Sequence, residues 1–227
     1  MKQNTALICL SPINGGMELA SIKIAKLLSE EVDTSFIAKS GSYIATQKKI
    51  FNDANIKLYT VDFSLNFSFS LIFKVRKIVA DNNIKNIIFL GASEMKSLYF
   101  ATFGLDINFI VRQGTTKSTP KKDFFHRLIY SNVSYFVGNS EYIVKNIWKI
   151  LPVSNNAVVK KIYASVQLEE TINYKNYNGC LDLIHVGRIT KGKGQLEAIK
   201  ACSILKENNI NFRLRLIGSV HDKDYFN

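Results

Sequence analysis

Between Leu181 and Ser219 the chain reads LDLIHVGRITKGKGQLEAIKACSILKENNINFRLRLIGS, an order of residues that few folds accept. An apolar run ends at Gly187-Arg188, and a basic, glycine-containing loop follows with Lys191, Lys193 and Gly194. Apolar residues at helical spacing then lead into a second apolar run closed by Gly218. Two such runs joined through one helix form a crossover with parallel strands. The fixed cations fall at the carboxyl end of the first strand, where loops and helix amino termini face ligands in open parallel sheets. The ligand that such a loop fits carries phosphate.

The preceding residues repeat the same alternation. Apolar or β-branched runs at 5–10, 32–38, 57–61, 86–90, 107–112, 135–137 and 157–162 read as strands. Helical spacing marks 17–28, 43–54, 67–79, 124–131 and a segment ending near Ile150, with Asn139-Ser140 placed to cap the last. Alternating strands and helices argue for an α/β fold with a parallel sheet. The polar stretch ETINYKNYNG, Glu169 to Gly179, reads as a linker. The expected organisation is one complete Rossmann-like domain over 1–165, a linker over 166–180, and the first βαβ unit of a second domain over 181–227. A doubly wound domain needs several such units to cover its sheet, so the second domain is expected to be started and not finished.

Composition narrows the partners. The hydrophobic share of 47% excludes a disordered chain. The formal net charge of +12, from 30 Lys and Arg against 18 Asp and Glu, favours anionic partners such as phosphorylated substrates, anionic lipid or nucleic acid. Cys9, Cys180 and Cys202 are widely spaced, as are His126, His185 and His221, so no metal site is expected and reduced thiols of a cytoplasmic protein are. No run of about 18 apolar residues is present to span a bilayer. MKQNTALICLSPINGG lacks the layout of a signal peptide.

The loops after the strands hold the candidate site residues. Gly15-Gly16 separates the first strand from the first helix, where glycine lets backbone amides approach a ligand. No GxGxxG is present, so a nicotinamide or flavin fingerprint is absent. Arg188 and Lys193 suit a diphosphate, and they contribute most where negative charge grows during reaction. Gly187 to Gly194 also fits GxxxxGK, but Walker A requires Ser or Thr where Gly194 stands. Glu94, Arg112 and Gln113 follow or close two other strands at the same sheet edge and, with Glu18 after the first strand, are the candidate substrate contacts. His126, among Phe124, Phe125 and Leu128, reads as a helix-surface residue.

Three segments resemble the retaining, nucleotide-sugar-dependent glycosyltransferases of family 4, which have the GT-B fold. PINGGMELASIKIAKLL is similar to that family's first loop and helix, with its Gly-Gly-x-Glu, here Gly15, Gly16 and Glu18. VGNSEYIVKNI is similar to its late amino-domain strand and Ser-Glu helix start. HVGRITKGKGQLEAIKACSIL followed by LRLIGS resembles the opening of its donor domain. The resemblance implies that Arg188 and Lys193 bind the donor diphosphate, that Gly16 lies against the donor, and that the amino domain presents the acceptor. It implies retention at the anomeric carbon, no bound metal or other cofactor, and a nucleotide sugar as co-substrate. The acceptor it implies is a surface glycan of lipopolysaccharide or capsule type, lipid-linked, handled at the cytoplasmic face of the membrane. The basic charge and the 67–79 helix suit peripheral attachment to anionic lipid. No catalytic residue is assigned. The family's histidine after the strand ending Val111-Arg112-Gln113 is absent here, and its later Glu-containing donor motif would fall beyond Asn227. A non-catalytic nucleotide- or nucleic-acid-binding Rossmann protein is the competing expectation. The Tyr and Phe residues mostly follow core periodicity instead of interleaving with cations, so nucleic acid is not the expected partner.

Overall fold

A computed structural model describes residues 3–164, 179–220 and 222–226. The chain divides into two compact units, Met1–Val166 and Gln167–Asn227. The linker expected over 166–180 lies, for residues 166–178, outside the described residues.

The first unit runs β1 (Thr5–Cys9), α1 (Gly16–Ser29), β2 (Thr34–Lys39), α2 (Tyr43–Thr46), α3 (Lys48–Asp53), β3 (Lys57–Val61) and α4 (Phe69–Asp81). It continues through β4 (Asn86–Leu90), α5 (Met95–Thr102), β5 (Asn108–Gln113), α6 (Phe124–Ile129), β6 (Val133–Gly138), α7 (Glu141–Ile150) and β7 (Val158–Lys161). Seven strands form one sheet in the order β3-β2-β1-β4-β5-β6-β7, and every pair is parallel. The period of two along β1 sorts its side chains. Leu7 and Cys9 join a core with Ile22, Ala25, Phe36 and Phe51, under α1 and α3. Ala6 and Ile8 join the opposite core with Leu71, Val75, Leu98 and Ile147, under α4, α5 and α7. Strands covered on both faces are nearly continuous apolar runs, and TALIC, polar only at Thr5, is buried at all five positions.

Two elements depart from the sequence reading. The expected 43–54 helix is two short helices meeting at Gln47, whose φ −84°, ψ 31° ends the first. The helix α5 has no counterpart in that reading: Met95, Ser97, Leu98, Tyr99, Ala101 and Thr102 are all buried, so its sequence has no one-sided stripe.

The second unit is β8 (Leu181–Val186), α8 (Gln195–Glu207), β9 (Phe212–Ile217) and α9 (Lys223–Phe226). The strands β8 and β9 pair in parallel, Leu181 opposite Phe212 through Val186 opposite Ile217. Gly218 shapes the end of β9: a Cβ there would stand 1.9 Å from the Gly187 carbonyl oxygen. Only glycine lets the two backbones come that close. Among the described residues no helix is long and apolar enough to cross a membrane.

Candidate functional site

Strand order reverses between β1 and β4, since the chain winds outward to β2 and β3 on one side and to β5, β6 and β7 on the other. The loops leaving β1 and β4 therefore diverge and open a crevice at the carboxyl edge. A cavity of about 270 Å³ lies there, lined by Ser11, Pro12 and Met17 after β1, Gly91 to Glu94 after β4, and Arg112 to Thr115 at the end of β5. A larger hollow, about 550 Å³, opens at the opposite edge among Asn4, Asp33, Asn82 and Asn83. Helix carboxyl ends face that edge, which disfavours anions, so the carboxyl-edge cavity is the chemical candidate.

Arg112 and Glu94 supply its charges. Burial lowers the pKa of the Arg112 guanidinium, and among the described residues it has no hydrogen-bond or ion-pair partner. Glu94 immediately precedes α5 and makes no side-chain cap. Burial raises its carboxyl pKa, and the charge of Lys39 pulls part of the way back. Lys117 and Lys121 also line the cavity. Lys121 has its pKa lowered first by burial and then by the charges of Lys117 and Lys96, so Lys117 and Lys121 carry mutually repelling charge on this rim. An oxyanion entering here relieves that repulsion.

Gln113 lines the opening and also pins the loop beside it. Its Nε2 donates to the Thr115 carbonyl at 3.0 Å and to Asn146 Oδ1 at 2.9 Å. Asn146 in turn accepts from the Lys117 amide at 3.0 Å and donates to the Lys117 carbonyl at 2.9 Å. The loop carrying Lys117 is thus pinned to α7. Lys117, Lys121 and Asn146 are not among the residues that the sequence singles out. The signal available is the basic pair Lys121-Lys122, but nothing in the sequence places it over the crevice.

The glycine pair opens α1, and its first member also makes room for a neighbouring side chain. Gly15 caps α1 in extended backbone, φ −164°, and a Cβ on it would meet Glu18 Oε2 at 3.0 Å. A Cβ on Gly16 would meet nothing within 4 Å. Glu18 is only 2% exposed, folded back against Gly15, and is not among the cavity's lining residues. Nearby, burial pushes the Cys9 thiol up to about 11. His126 sits on α6, its ring against the Asp123 carboxylate that caps the helix.

In the second unit the loop Gly187–Gly194 is held from both flanks. Gln195 Nε2 donates to the Arg188 carbonyl at 2.8 Å, and His185 Nε2 lies 2.9 Å from the Lys193 carbonyl. A carbonyl only accepts, so Nε2 carries the hydrogen. Gln195 Oε1 and His185 Nδ1 are left buried and without a partner among the described residues. Gly192 and Gly194 take φ +84° and +85°, a turn that residues with a Cβ adopt at a cost. Gly194 then caps α8 with no side chain, and the Leu196 amide donates to the Tyr225 hydroxyl at 3.1 Å. The side chains of Arg188 and Lys193 are exposed, and among the described residues neither has an ion-pair partner. Two unpaired cations beside a helix amino terminus form an arrangement suited to phosphate.

No family model matches the sequence, and no curated protein does. Solved structures do. A glycosyltransferase from Rickettsia africae ESF-5 superposes with a TM-score of 0.79 at 16% identity, covering 99% of this chain and 63% of that one. HepE of Anabaena, crystallised with UDP and glucose, gives a TM-score of 0.69 at 15% identity over 98% of this chain and 63% of its own. The lipopolysaccharide outer core galactosyltransferase WaaB gives 0.64 at 14% identity, over 98% and 62%. The chain therefore has an α/β fold of the GT-B glycosyltransferase type, and it spans about 63% of the length of these structures.

Proposed function

We propose that this chain works as, or within, a retaining glycosyltransferase that moves a sugar from a nucleoside diphosphate donor to a surface-glycan acceptor. The proposed acceptor is lipid-linked, of lipopolysaccharide or capsule type, and met at the inner face of the cell membrane. The observation that carries this reading is the Gly187–Gly194 loop, with Arg188 and Lys193 exposed beside the amino terminus of α8. As a glycosidic bond to a diphosphate breaks, negative charge grows on the leaving phosphate, and cations already in place stabilise that state more than the bound donor. Gln195 and His185 hold the loop's backbone, so little reorganisation accompanies the step. The first unit offers a separate cationic cavity, with Arg112, Lys117 and Lys121, that suits a phosphate-bearing acceptor. HepE binds UDP-glucose in one solved structure, and WaaB is a lipopolysaccharide galactosyltransferase; both support the choice of donor and acceptor class.

The test is calorimetric titration of the chain with UDP-glucose and other nucleoside diphosphate sugars. Arg188→Ala and Lys193→Ala should each weaken binding about tenfold, the loss of one charge-assisted hydrogen bond. Transfer from a labelled donor, with the product's anomeric configuration read by NMR, tests retention. Binding of oligonucleotides with steep salt dependence, and of no sugar nucleotide, would replace this reading with a nucleic-acid-binding one.

A further inference from the structure

The carboxyl-edge cavity of the first unit holds donors that the fold leaves without acceptors. Leu90, Val111, Ile150 and Leu151 line it beside Arg112, Lys121 and Tyr130. Tyr130 is only 2% exposed, its ring stacked on Phe136. Its hydroxyl has no hydrogen-bond partner among the described residues, although a buried tyrosine ordinarily finds one. Burial pushes its pKa up to about 12, so the hydroxyl keeps its proton and remains a donor at neutral pH. The half-buried Arg112 loses basicity through burial alone, and among the described residues no carboxylate pairs with it. The Lys121 amide donates to the Ile150 carbonyl at 2.7 Å, which anchors that residue at the same opening. Its ammonium group has no ion-pair partner among the described residues either.

Three donors, two of them charged, therefore line one small space and lack acceptors. Desolvated groups of this kind destabilise a fold until something pairs with them. An anionic group entering the cavity supplies the missing acceptors. Size limits what carries that group: about 270 Å³ lies below the range of about 300–1,000 Å³ usual for drug-sized ligands. A whole nucleotide is too large, whereas a single sugar ring is not. Glu94, Ser11 and Ser93 line the same cavity and can accept from sugar hydroxyls. The Glu94 carboxylate also repels a second negative charge, which disfavours a diphosphate. We propose that this cavity is a specificity pocket for an acceptor whose terminal sugar bears one anionic substituent, a carboxylate or a phosphate monoester, read by Arg112, Lys121 and Tyr130. The proposal rests on the reading of the cavity as the acceptor site and narrows the class of acceptor. A neutral sugar leaves all three donors unpaired and is rejected for that reason.

The experiment is titration of the 227-residue chain with glucuronate, glucose 6-phosphate, glucose and inorganic phosphate at constant ionic strength, followed by ligand-observed NMR. The acidic sugars are expected to bind, and glucose at least about tenfold more weakly. Tighter binding of glucuronate identifies the substituent as a carboxylate, and tighter binding of glucose 6-phosphate identifies it as a phosphate; either supports the pocket. Arg112→Gln should weaken acidic-sugar binding at least about tenfold, and Tyr130→Phe about fivefold, neither lowering the thermal melt. Lys122→Gln changes the net charge as Arg112→Gln does, but Lys122 does not line the cavity, so binding should be unchanged. Glucose or inorganic phosphate binding as tightly as the acidic sugars overturns the proposal. So does an equal loss in all three variants, or a loss in none. UDP-glucose is titrated in parallel. If it alone fails to bind, the transferase reading falls and the pocket stands; if the acidic sugars alone fail, the pocket falls and the transferase reading stands.

Discussion

The two units build the same strand–helix–strand element and bury it differently. In the first, β1 sits between helices on both faces and all five of its residues are buried. In the second, β8 and β9 alternate half-buried and exposed along their whole length. Leu183, Leu214 and Leu216 lie on the half-buried face; Ile184, Val186 and Ile217 lie on the other, with Asp182 and Arg215 paired at 3.2 Å among them. TALIC and FRLRLI already differ in this respect as sequences, one continuous and one alternating, as strands of two-sided and one-sided sheets do. The difference shows that a strand–helix–strand motif specifies topology, whereas its stability comes from the layers around it. The phosphate-type loop sits on the less buried unit, and the two cores sit in the other.

The comparison breaks first if the units respond alike to lost apolar volume. Phe136→Ala empties a fully buried site beside Tyr130, whose ring stacks at 6.2 Å, and should cost about 3–5 kcal/mol. Ile217→Ala removes a side chain that is half exposed and should cost under about 1 kcal/mol. Urea unfolding followed through the single tryptophan, Trp148 of α7, reports on the first unit. Hydrogen exchange of β8 and β9 amides reports on the second. Equal losses from the two substitutions would mean that the exposed face of β8 and β9 is covered in solution.

Gly218→Ala sharpens the contrast from the other side. The new Cβ would overlap the Gly187 carbonyl, forcing apart the strand ends joined by the Gly187 amide and Ile217 carbonyl at 2.9 Å. A cost of about 2–3 kcal/mol, typical of overpacking, is expected in the second unit alone. Protection of β8 and β9 amides should fall while the Trp148 transition stays in place. A matching shift of that transition would show that the units unfold as one.

Much of this architecture is legible in the sequence, and the failures have physical causes. The strands show as apolar or alternating runs, because a sheet's period is local. The helix α5 does not, since six buried residues in eight leave no polar face to betray the period. Arg112 and Glu94 can be picked because the end of a strand sets the next few residues at the sheet edge. Lys117 and Lys121 cannot, because their loop is placed by the Gln113–Asn146 hydrogen bond, made across 33 positions of chain. Gln195 and His185 escape notice for a related reason: their part is to hold carbonyls of Arg188 and Lys193, a use of side chains that leaves no mark on spacing. Gly15-Gly16 shows in the sequence as a turn before a helix, but nothing in its spacing tells that Gly15 also makes room for the carboxylate of Glu18 in the helix's first turn.

The smallest expected effect concerns Glu94, and its sign is the informative part. Burial raises its folded-state pKa above the ordinary 4.5, with Lys39 offsetting part of the rise. The folded state then holds the proton more tightly than the unfolded one. The stability this linkage contributes is present below the ordinary pKa and is lost as pH climbs through the raised value. At neutral pH the charged carboxylate is therefore a cost, and Glu94→Gln removes it. Thermal melts should show the variant slightly more stable than the wild type near about pH 7, with the gain vanishing near about pH 4. The shift should appear in the Trp148 transition and not in β8–β9 exchange, because Glu94 belongs to the first unit. A variant less stable at neutral pH would mean that the attraction of the carboxylate to Lys39 and to the amino terminus of α5 outweighs its burial. The crevice would then be wetter and more polar than its lining implies, a cavity held open by charge.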